Sequence, residues 1–503
     1  MDRGTESKEF VDLLLACRSG DLDRVDQLVS LGINVDRWDN SPLILASLCG
    51  HEDVVRFLLE RGAVCDRDTF EGERCVYGAL NDSIRDLLLS YDITKAVDVT
   101  QPFAAHISSL VPEAKVVTAD ILVNGEKLHK FMLSARGVLK NISLVESIPS
   151  ITTKIVNYVY QKPQTGFERI NLEELLSVAV SLDLTDFAEM VREYRAATTP
   201  ISRSKVMRNF QLEMSRLALK DMSQFTEDQI FAHALVKDTP ELSVQEKLDM
   251  MTGKCFPDVI LTVPHKDGGH WFVPSHRAIL VRSEYFETMF RSNFSEASIF
   301  NDLVSENGII DRNRLIEDPD LIPVIPVTAA SNSNLLRILI EFLYYDNSTF
   351  VYFESLDVLS MADALLIDRL KNMASVVLSS DGDNPRIPVY DILRAGWDTR
   401  INRLETYAAR VIANRLEEYI NEPDFEDVVL ESAERIENRH DTDTIDLIDD
   451  IRFYLTKKFH ITNYEGYDVF FKDVVKDDPA LYRDYTEQLA WIDDLLARLG
   501  LDA

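Results

Sequence analysis

The sequence predicts an α+β multidomain protein, in which helical repeats come first, two domains that open with a β-hairpin follow, and a helical region ends the chain. Three observations predict this class. Two segments near the N-terminus align on each other at the spacing of a helical repeat. Two later stretches change from strand-prone residues around a turn to helical periodicity, and the pattern after Pro388 is helical throughout. A chain of 503 residues also exceeds what one hydrophobic core usually supports, so we expect three or four domains.

Composition and charge limit what the protein can bind. The formal net charge is −32, whereas binding to a phosphate backbone needs clustered Lys and Arg, so we expect no nucleic acid and no membrane among its partners. Five cysteines without a CxxC pair indicate reduced thiols. The N-terminus lacks an apolar leader, and no run of about 18 uncharged apolar residues occurs. We therefore expect a cytoplasmic protein, with the nucleus as the compartment left open.

A repeated pattern covers residues 8–95. Residues 14–20 align with residues 44–50, and Pro42, Ala46 and Gly62 stand where a helix start, a close helix contact and a helix end need them. This pattern resembles ankyrin repeats, whose period is ~33 residues. A third, irregular copy follows, and we expect the segment with Pro102 and Phe103 to cap it.

The resemblance to ankyrin repeats implies a protein-binding surface on the concave side of the array. Trp38 and Asn40 fall between the first two repeats and are the candidate surface residues. Tryptophan offers a large contact area, which is why it recurs as a binding anchor. The alternative is that Trp38 packs on the neighbouring repeat. The four cysteines of this region are explained as small buried hydrophobes or, less simply, as metal ligands.

The most informative stretch runs from residue 258 to residue 296. Residues 259–263 and 271–273 are β-prone, and Gly268-Gly269 lets the chain reverse between them. After Ala278 the apolar spacing becomes three to four residues, which predicts a helix that buries Phe286 and Phe290.

This hairpin and helix resemble the opening of a BTB/POZ domain, with the motifs Asp-Val-x-x-x-Val, His-Arg-x-x-Leu and Ser-x-Tyr-Phe at residues 258–263, 276–280 and 283–286. The resemblance places a BTB/POZ domain at residues 255–380, interrupted by an acidic insertion at 301–320. It also implies that Asp258 and Arg277 form a charged pair in a surface pocket, with a recognition or structural role. Prolines within residues 321–327 predict an edge strand.

A second, degenerate copy of this pattern occupies residues 115–197. Asn124-Gly125 predicts a two-residue hairpin turn, and His129-Lys130 stands where the other copy has its His-Arg pair. By resemblance, Asp120 and Lys130 would form the charged pocket here. The Ser-x-Tyr-Phe element is missing from this copy, so recruitment of a partner is expected of the other one.

Helical patterns account for the remaining segments. The pattern of residues 198–254 predicts a helical connector that packs on a neighbouring domain. Residues 386–503 resemble the BACK extension that follows many BTB domains. From Asp381 onward, 15 basic residues stand against 29 acidic ones, a net charge of −14. This surface either docks a basic client or is a solvated acidic face.

A triplet after the predicted helix with Phe286 and Phe290 points to a partner. BTB adaptors of cullin-3 ubiquitin ligases carry a hydrophobic-x-Glu motif at this place, and Phe294-Ser295-Glu296 fits it. The expected cullin-binding residues are Tyr285, Phe286, Met289, Phe294 and Glu296. Without its position after this helix the triplet would be weak evidence for cullin binding, since Leu144-Val145-Glu146 matches the motif as well. The alternative is that the triplet has only a structural role.

The sequence carries no catalytic signature. Walker, nucleophile-elbow, zinc-protease and dinucleotide-binding motifs are absent, and the spacing of Cys255, His265 and His270 fits no structural zinc site. We expect a protein that is not an enzyme, with no cofactor and no metal.

The order of domains resembles the ankyrin repeat and BTB/POZ domain-containing family. This implies a substrate adaptor of a cullin-3 ubiquitin ligase, with an unidentified client on the ankyrin or BACK surfaces and cullin on the second BTB. A scaffold or transcription-linked assembly protein without ligase contact is the alternative. Because a tether favours pairing of the two BTB copies, we expect a monomer with an internal pseudo-dimer; an intermolecular dimer through the second BTB is the other arrangement.

Overall fold

The computed structural model divides the chain into two compact units, residues 1–101 and residues 102–503. The residues that the structure describes are 8–30, 41–60, 75–76, 78–85, 87–88, 101–111, 116–162, 164, 167, 170–291, 303–347, 349–382, 384–437, 445–459 and 479–501. Within these ranges no helix combines the length and the apolar character that crossing a bilayer would require.

Pairs of short helices form the first unit. Helix α1 packs on α2 and α3, and α3 packs on α4, so successive pairs stack on one another. Ala46 is fully buried between helices, as a close helix contact requires. Gly20 has a φ of 75°, and a Cβ there would lie 2.5 Å from Nδ1 of His51, so only glycine fits this turn. Among the described residues, the helices of this unit with defined bounds are α1 Lys8–Ser19, α2 Leu22–Ser30, α3 Ser41–Cys49 and α4 Glu52–Glu60, and residues 75–76, 82–85 and 87–88 are also helical.

The first part of the second unit contains a small hairpin, with one helix before it and several after it. Asn124 and Gly125 have φ values of 49° and 88°, which is the two-residue turn that their sequence predicts. The hairpin strands are β1 Ile121–Val123 and β2 Glu126–Leu128, paired antiparallel. The helices of this part are α5 Gln101–Ser109, α6 Lys130–Ala135, α7 Ile142–Glu146, α8 Pro149–Val159, α9 Leu172–Ser181, α10 Thr185–Ala196 and α11 Pro200–Phe225.

A larger hairpin and a mixed sheet follow. The sheet has the order β3-β5-β4-β6, in which β4 and β5 form the hairpin and β6 lies parallel to β4 at the edge. Pro326 in β6 needs no further ladder partner there, as the edge position predicts. The strands are β3 Leu235–Lys237, β4 Val259–Pro264, β5 His270–Ser275 and β6 Val324–Pro326. The helices are α12 Val244–Met251, α13 Arg277–Leu280, α14 Glu284–Arg291, α15 Arg312–Glu317, α16 Ser333–Tyr345, α17 Ser355–Ala364 and α18 Asp368–Leu378.

The last part of the described chain is helical, as its periodicity predicts. Helix α20 packs between α19 and α23, and α24 contacts α22 and α23. These helices are α19 Val389–Thr399, α20 Asn402–Asn414, α21 Leu416–Tyr419, α22 Pro423–Glu437, α23 Asp446–Lys458 and α24 Pro479–Leu499.

Three details differ from the sequence expectations. The helix after the second hairpin is broken into α13 and α14, because the Ser283 hydroxyl accepts from the backbone N–H of Phe286 at 3.5 Å and starts a new helix. The expected connector supplies β3 to the second sheet, which its helical pattern did not indicate. Phe103 is buried with the guanidinium of Arg282 5.4 Å from its ring, so it packs within the second unit.

Candidate interaction site

A buried histidine and tyrosine pair occurs twice in the second unit. In the first hairpin domain, the Tyr160 hydroxyl accepts from the backbone N–H of His129 at 2.8 Å and lies 3.0 Å from its Nδ1. In the second, the Tyr344 hydroxyl makes the same two contacts with His276, at 2.9 and 2.7 Å. The two domains therefore share one local structure, in which a tyrosine at the C-terminal end of a later helix fixes the end of the hairpin.

The aspartates that open both hairpins are also equivalent. Asp120 accepts from the backbone N–H of Lys130 at 2.7 Å, and Asp258 accepts from that of Arg277 at 2.8 Å. Each aspartate thereby satisfies a donor at the start of the following helix. The repeated contact explains why this residue pattern appears twice in the chain.

The two hairpin domains contact each other around His276 and Arg277. The ring of Phe131 stacks on His276, with centroids 4.0 Å apart. The guanidinium of Arg277 donates to the carbonyl of Val117 at 3.0 Å, and the backbone N–H of Ile310 donates to the carbonyl of Ala119 at 2.7 Å. The pocket residues thus form the contact between the copies, and they are not at an open surface.

The charged pairs of the two copies differ. Arg277 keeps its side chain on Asp258, with an N–O distance of 3.3 Å and both residues about 2% exposed. The side chain that pairs with Asp120 is Arg312, at 2.6 Å, and it is not Lys130, whose ammonium lies 6.0 Å from the centre of the Phe256 ring. The expected Asp120–Lys130 ion pair is therefore corrected to a pair that joins the two domains.

Sequence reasoning missed Arg312. It lies in the acidic insertion, where polar composition indicated only a loop, and it is 192 residues from Asp120. Its guanidinium also donates to the carbonyls of Phe256, which has a φ of 53°, and Pro257. The one available signal was Asp311-Arg312, since Asp311 caps α15 by accepting from two backbone N–H groups and so fixes where Arg312 begins its helix.

Burial sets the protonation state of this contact. Burial lowers the pKa of His129 to about 4 and that of His276 to about 3, so both rings are neutral near pH 7. Nε2 of His276 also lies 2.6 Å from the carbonyl of Cys255. Burial likewise raises the pKa of the Cys255 thiol well above its ordinary value. Both nitrogens of the His276 ring are hydrogen-bonded, and the Cys255 thiol is protonated. These groups therefore stabilise the fold and are not suited to nucleophilic or acid–base chemistry.

The helix that the sequence predicts to recruit a partner is α14, in the second hairpin domain. Phe286 is fully buried and stacks on Phe290 at 6.2 Å between centroids, whereas Tyr285 on the adjacent face is 38% exposed. Met289 is half-buried on the same helix. The helix is therefore anchored in the core by Phe286 and Phe290 and presents Tyr285 to solvent. Phe294 and Glu296 lie outside the described residues, as do Trp38 and Asn40 in the repeats.

The first domain has a different structure at the corresponding place. A single 3₁₀ turn, Leu139–Asn141, leads into α7, and Val145 is its buried residue. Glu146 in the Leu-Val-Glu triplet uses its backbone carbonyl to accept from Asn124 at 3.0 Å, which ties it to the hairpin turn.

Among the residues with described positions, no group of three or more His, Cys, Asp or Glu side chains could hold a metal ion.

Comparison with known proteins identifies the family. A family model for ankyrin repeats in three copies matches residues 12–69. An ankyrin repeat-containing protein of Saccharomyces cerevisiae is 38% identical over 90% of this chain and 90% of its own length. BTB/POZ domain-containing protein 3 of Schizosaccharomyces pombe is 38% identical over 99% of this chain and 91% of its own length. The chain belongs to the ankyrin repeat and BTB/POZ domain-containing protein family. The first unit is thus the ankyrin part of this family member, and the paired hairpin domains lie in the part that the BTB/POZ relative also spans.

Proposed function

We propose that this ankyrin repeat and BTB/POZ protein is a non-enzymatic adaptor that joins a protein client to a cullin-3 ubiquitin ligase in the cytoplasm. The observation that carries the proposal is the α14 helix, which buries Phe286 and exposes Tyr285. An exposed aromatic residue on a rigid helix is a suitable anchor for a protein partner.

The contrast between the two BTB/POZ domains supports one recruiting site per chain. The first domain directs Phe131 onto His276 and lacks a counterpart of Tyr285. In this proposal the first domain packs on the second, and α14 of the second domain remains available to a partner on another face. In this proposal the second BTB/POZ domain comprises residues 255–380 with the earlier strand β3, and the first comprises residues 115–197.

The client would bind elsewhere in the chain. The ankyrin repeats and the acidic helices after residue 386 are the two candidate surfaces, since both lie outside the residues that form α14 and the contact between the hairpin domains. The chain carries 85 acidic against 53 basic residues, which favours a client with a basic surface.

Co-purification with cullin-3 tests the proposal. Full-length protein is mixed with the purified N-terminal domain of cullin-3, and complex formation is measured by size-exclusion chromatography and by calorimetry. A one-to-one complex is expected. Absence of binding at tens of micromolar of each protein would overturn ligase recruitment and leave a scaffold without ligase contact as the function.

A further inference from the structure

A cavity of about 770 Å³ lies among the acidic helices after residue 386. One wall is α24, from which Trp491, Asp494 and Arg498 line the cavity. Their spacing of three and four residues puts these side chains on one face of the helix. The other wall comes from α21 and the residues directly after it, with Glu417 and Ile420. The cavity therefore lies on one of the two candidate client surfaces.

The cavity combines an aromatic ring with carboxylates. Trp491 is partly exposed, and Glu417 and Asp494 are exposed, one on each wall. Within the described part of the chain, neither carboxylate forms an ion pair and no Lys or Arg stacks on the Trp491 ring. Arg498, which also lines the cavity, pairs with Glu426 at 3.2 Å. The groups that would hold a cation are thus present without one from the described residues.

Lys458 is close enough to feel the charge of Glu417. Burial lowers the pKa of Lys458, and the carboxylate of Glu417 opposes that shift. The ammonium itself donates to the carbonyl of Ala413 at 3.2 Å and to the side-chain oxygen of Gln488 at 3.1 Å, and it lies 5.3 Å from the centre of the Phe459 ring. Lys458 is therefore engaged by other groups and does not stack on Trp491.

The same helical region holds an arginine with a tryptophan and a carboxylate. The guanidinium of Arg435, on α22, lies 4.7 Å from the centre of the Trp397 ring on α19. Glu405 of α20 completes this group. Burial raises the pKa of Glu405, and the charge of Arg435 and a hydrogen bond from Trp397 oppose the rise. A set of groups like that of the Trp491 cavity thus takes an arginine from a neighbouring helix.

A second example within the chain uses a tyrosine. The guanidinium of Arg386 lies 4.1 Å from the centre of the Tyr352 ring and donates to both oxygens of Asp381, at 2.8 and 3.0 Å. A planar guanidinium can stack on a ring while its edge donates to carboxylates, whereas the ammonium of lysine is a compact point charge. Arginine is therefore the cation that suits a tryptophan beside two carboxylates.

We propose that the cavity at Trp491 binds an arginine side chain of the client, which stacks on the indole and donates to Glu417 on one wall and Asp494 on the other. This inference rests on the client-binding half of the proposed function and deepens it. It assigns the client site to the last helices of the chain and names the residue that is recognised. The net charge of −32 favours the approach of a basic client to this site.

Fluorine NMR of the full-length protein labelled with fluorotryptophan tests the proposal. The chain has four tryptophans, and Trp491→Phe identifies the Trp491 resonance by removing it. The probe is a blocked pentapeptide with one arginine between glycines. The Trp491 resonance is expected to shift and to saturate at millimolar peptide, since a single side chain supplies the contacts. The same peptide with citrulline, which keeps the shape and lacks the charge, should leave the resonance in place.

Charge-neutral variants separate the site from the general field of an acidic chain. Glu417→Gln and Asp494→Asn each remove one proposed contact and should raise the Kd of the arginine peptide about fivefold. Asp427→Asn changes the net charge equally at an exposed position of α22 outside the cavity and should leave the Kd unaltered. Melting temperatures close to wild type are expected for all three, because the replaced carboxylates are exposed.

The outcomes separate the inference from the function it rests on, since no cullin-3 enters the experiment. Saturable binding that the two cavity variants weaken and Asp427→Asn does not supports the arginine site. A Trp491 resonance that stays in place up to about 10 mM peptide, or an equal loss in all three variants, overturns it. Equal affinity for a lysine peptide overturns the choice of arginine. If the arginine site fails while cullin-3 binds, the adaptor function stands with the ankyrin repeats as its client surface.

Discussion

The ring of Phe131 lies against the imidazole of His276, with centroids 4.0 Å apart and planes inclined by 20°. These residues belong to different hairpin domains. Phe131 directly follows the pair His129-Lys130, and His276 is the first residue of the pair His276-Arg277. Because the imidazole is buried and neutral, the stack is an apolar contact. Asp258 and Arg277, which the sequence predicts at a surface pocket, are therefore buried at the contact between the two hairpin domains.

The first prediction concerns acid. The pKa values of His129 and His276 are lowered by burial to about 4 and about 3. The unfolded chain takes up protons at these groups below its ordinary pKa near 6.5, and the folded chain does so only at lower pH. Their contribution to stability is thus complete above pH 6.5 and is lost as the pH falls toward 4. We expect a loss of about 2 kcal/mol for His129 between pH 7 and pH 5.

Urea unfolding of the full chain at several pH values measures this loss. Since the carboxylates of an acidic chain also titrate, the informative quantity is the difference between wild type and His129→Gln. The variant should have the shallower pH dependence between pH 7 and pH 5. Parallel curves for the two proteins would show that His129 is not held neutral.

The second prediction concerns the ion pair that joins the two domains. Arg312→Ala leaves the carboxylate of Asp120 buried without its partner, and breaking a buried pair on one side costs roughly 3–5 kcal/mol. Arg195→Ala is the matched control, because Arg195 pairs with Glu173 at 2.7 Å in an exposed setting where about 1 kcal/mol or less is expected. Equal melting temperatures for the two variants would contradict the role given to Arg312.

The third prediction separates the two aromatic residues of α14. Phe286→Ala removes a fully buried ring and should cost ~3–5 kcal/mol and soluble yield. Tyr285→Ala should leave the melting temperature nearly unchanged and weaken binding of the cullin-3 N-terminal domain about tenfold. A stable Phe286→Ala variant would show that this face of the helix is not core.

The fourth prediction concerns the triplet after α14. Replacing Phe294 and Glu296 together by alanine should abolish cullin-3 binding and leave thermal stability nearly unchanged. The Leu144→Ala and Glu146→Ala double variant is the control, since the same pattern recurs in the first domain, where Leu144 and Glu146 are exposed beside the buried Val145. If the Phe294 and Glu296 double variant bound cullin-3 with wild-type affinity, the assignment of this triplet as a cullin-binding motif would be wrong.

Most of the fold could be predicted from local patterns in the sequence. The Asn124-Gly125 turn specifies its hairpin because few other residue pairs adopt two positive φ angles. The paired tyrosines were visible as matching helices, and Pro326 marked the edge strand. The contact between Asp120 and Arg312 could not be predicted in this way, because it joins distant segments and depends on the approach of two folded domains. The left-handed backbone of Leu366, with a φ of 54°, could not be predicted either, since helical periodicity places this residue beside core residues and carries no information on its φ angle.

The last prediction concerns assembly. In the second unit, Arg312, Phe131 and Arg277 lie in the contact between the two hairpin domains. We propose that this contact takes the place of the surface through which single BTB domains commonly dimerise. We therefore expect a monomer, whose mass by light scattering at micromolar concentration is that of one 57.3 kDa chain. A variant with Phe131→Asp should disturb the internal contact by placing a carboxylate against His276, and should then expose the pairing surface. A higher mass for this variant beside a monomeric wild type is the expected pattern. A wild-type mass twice that of the chain would instead establish an intermolecular dimer.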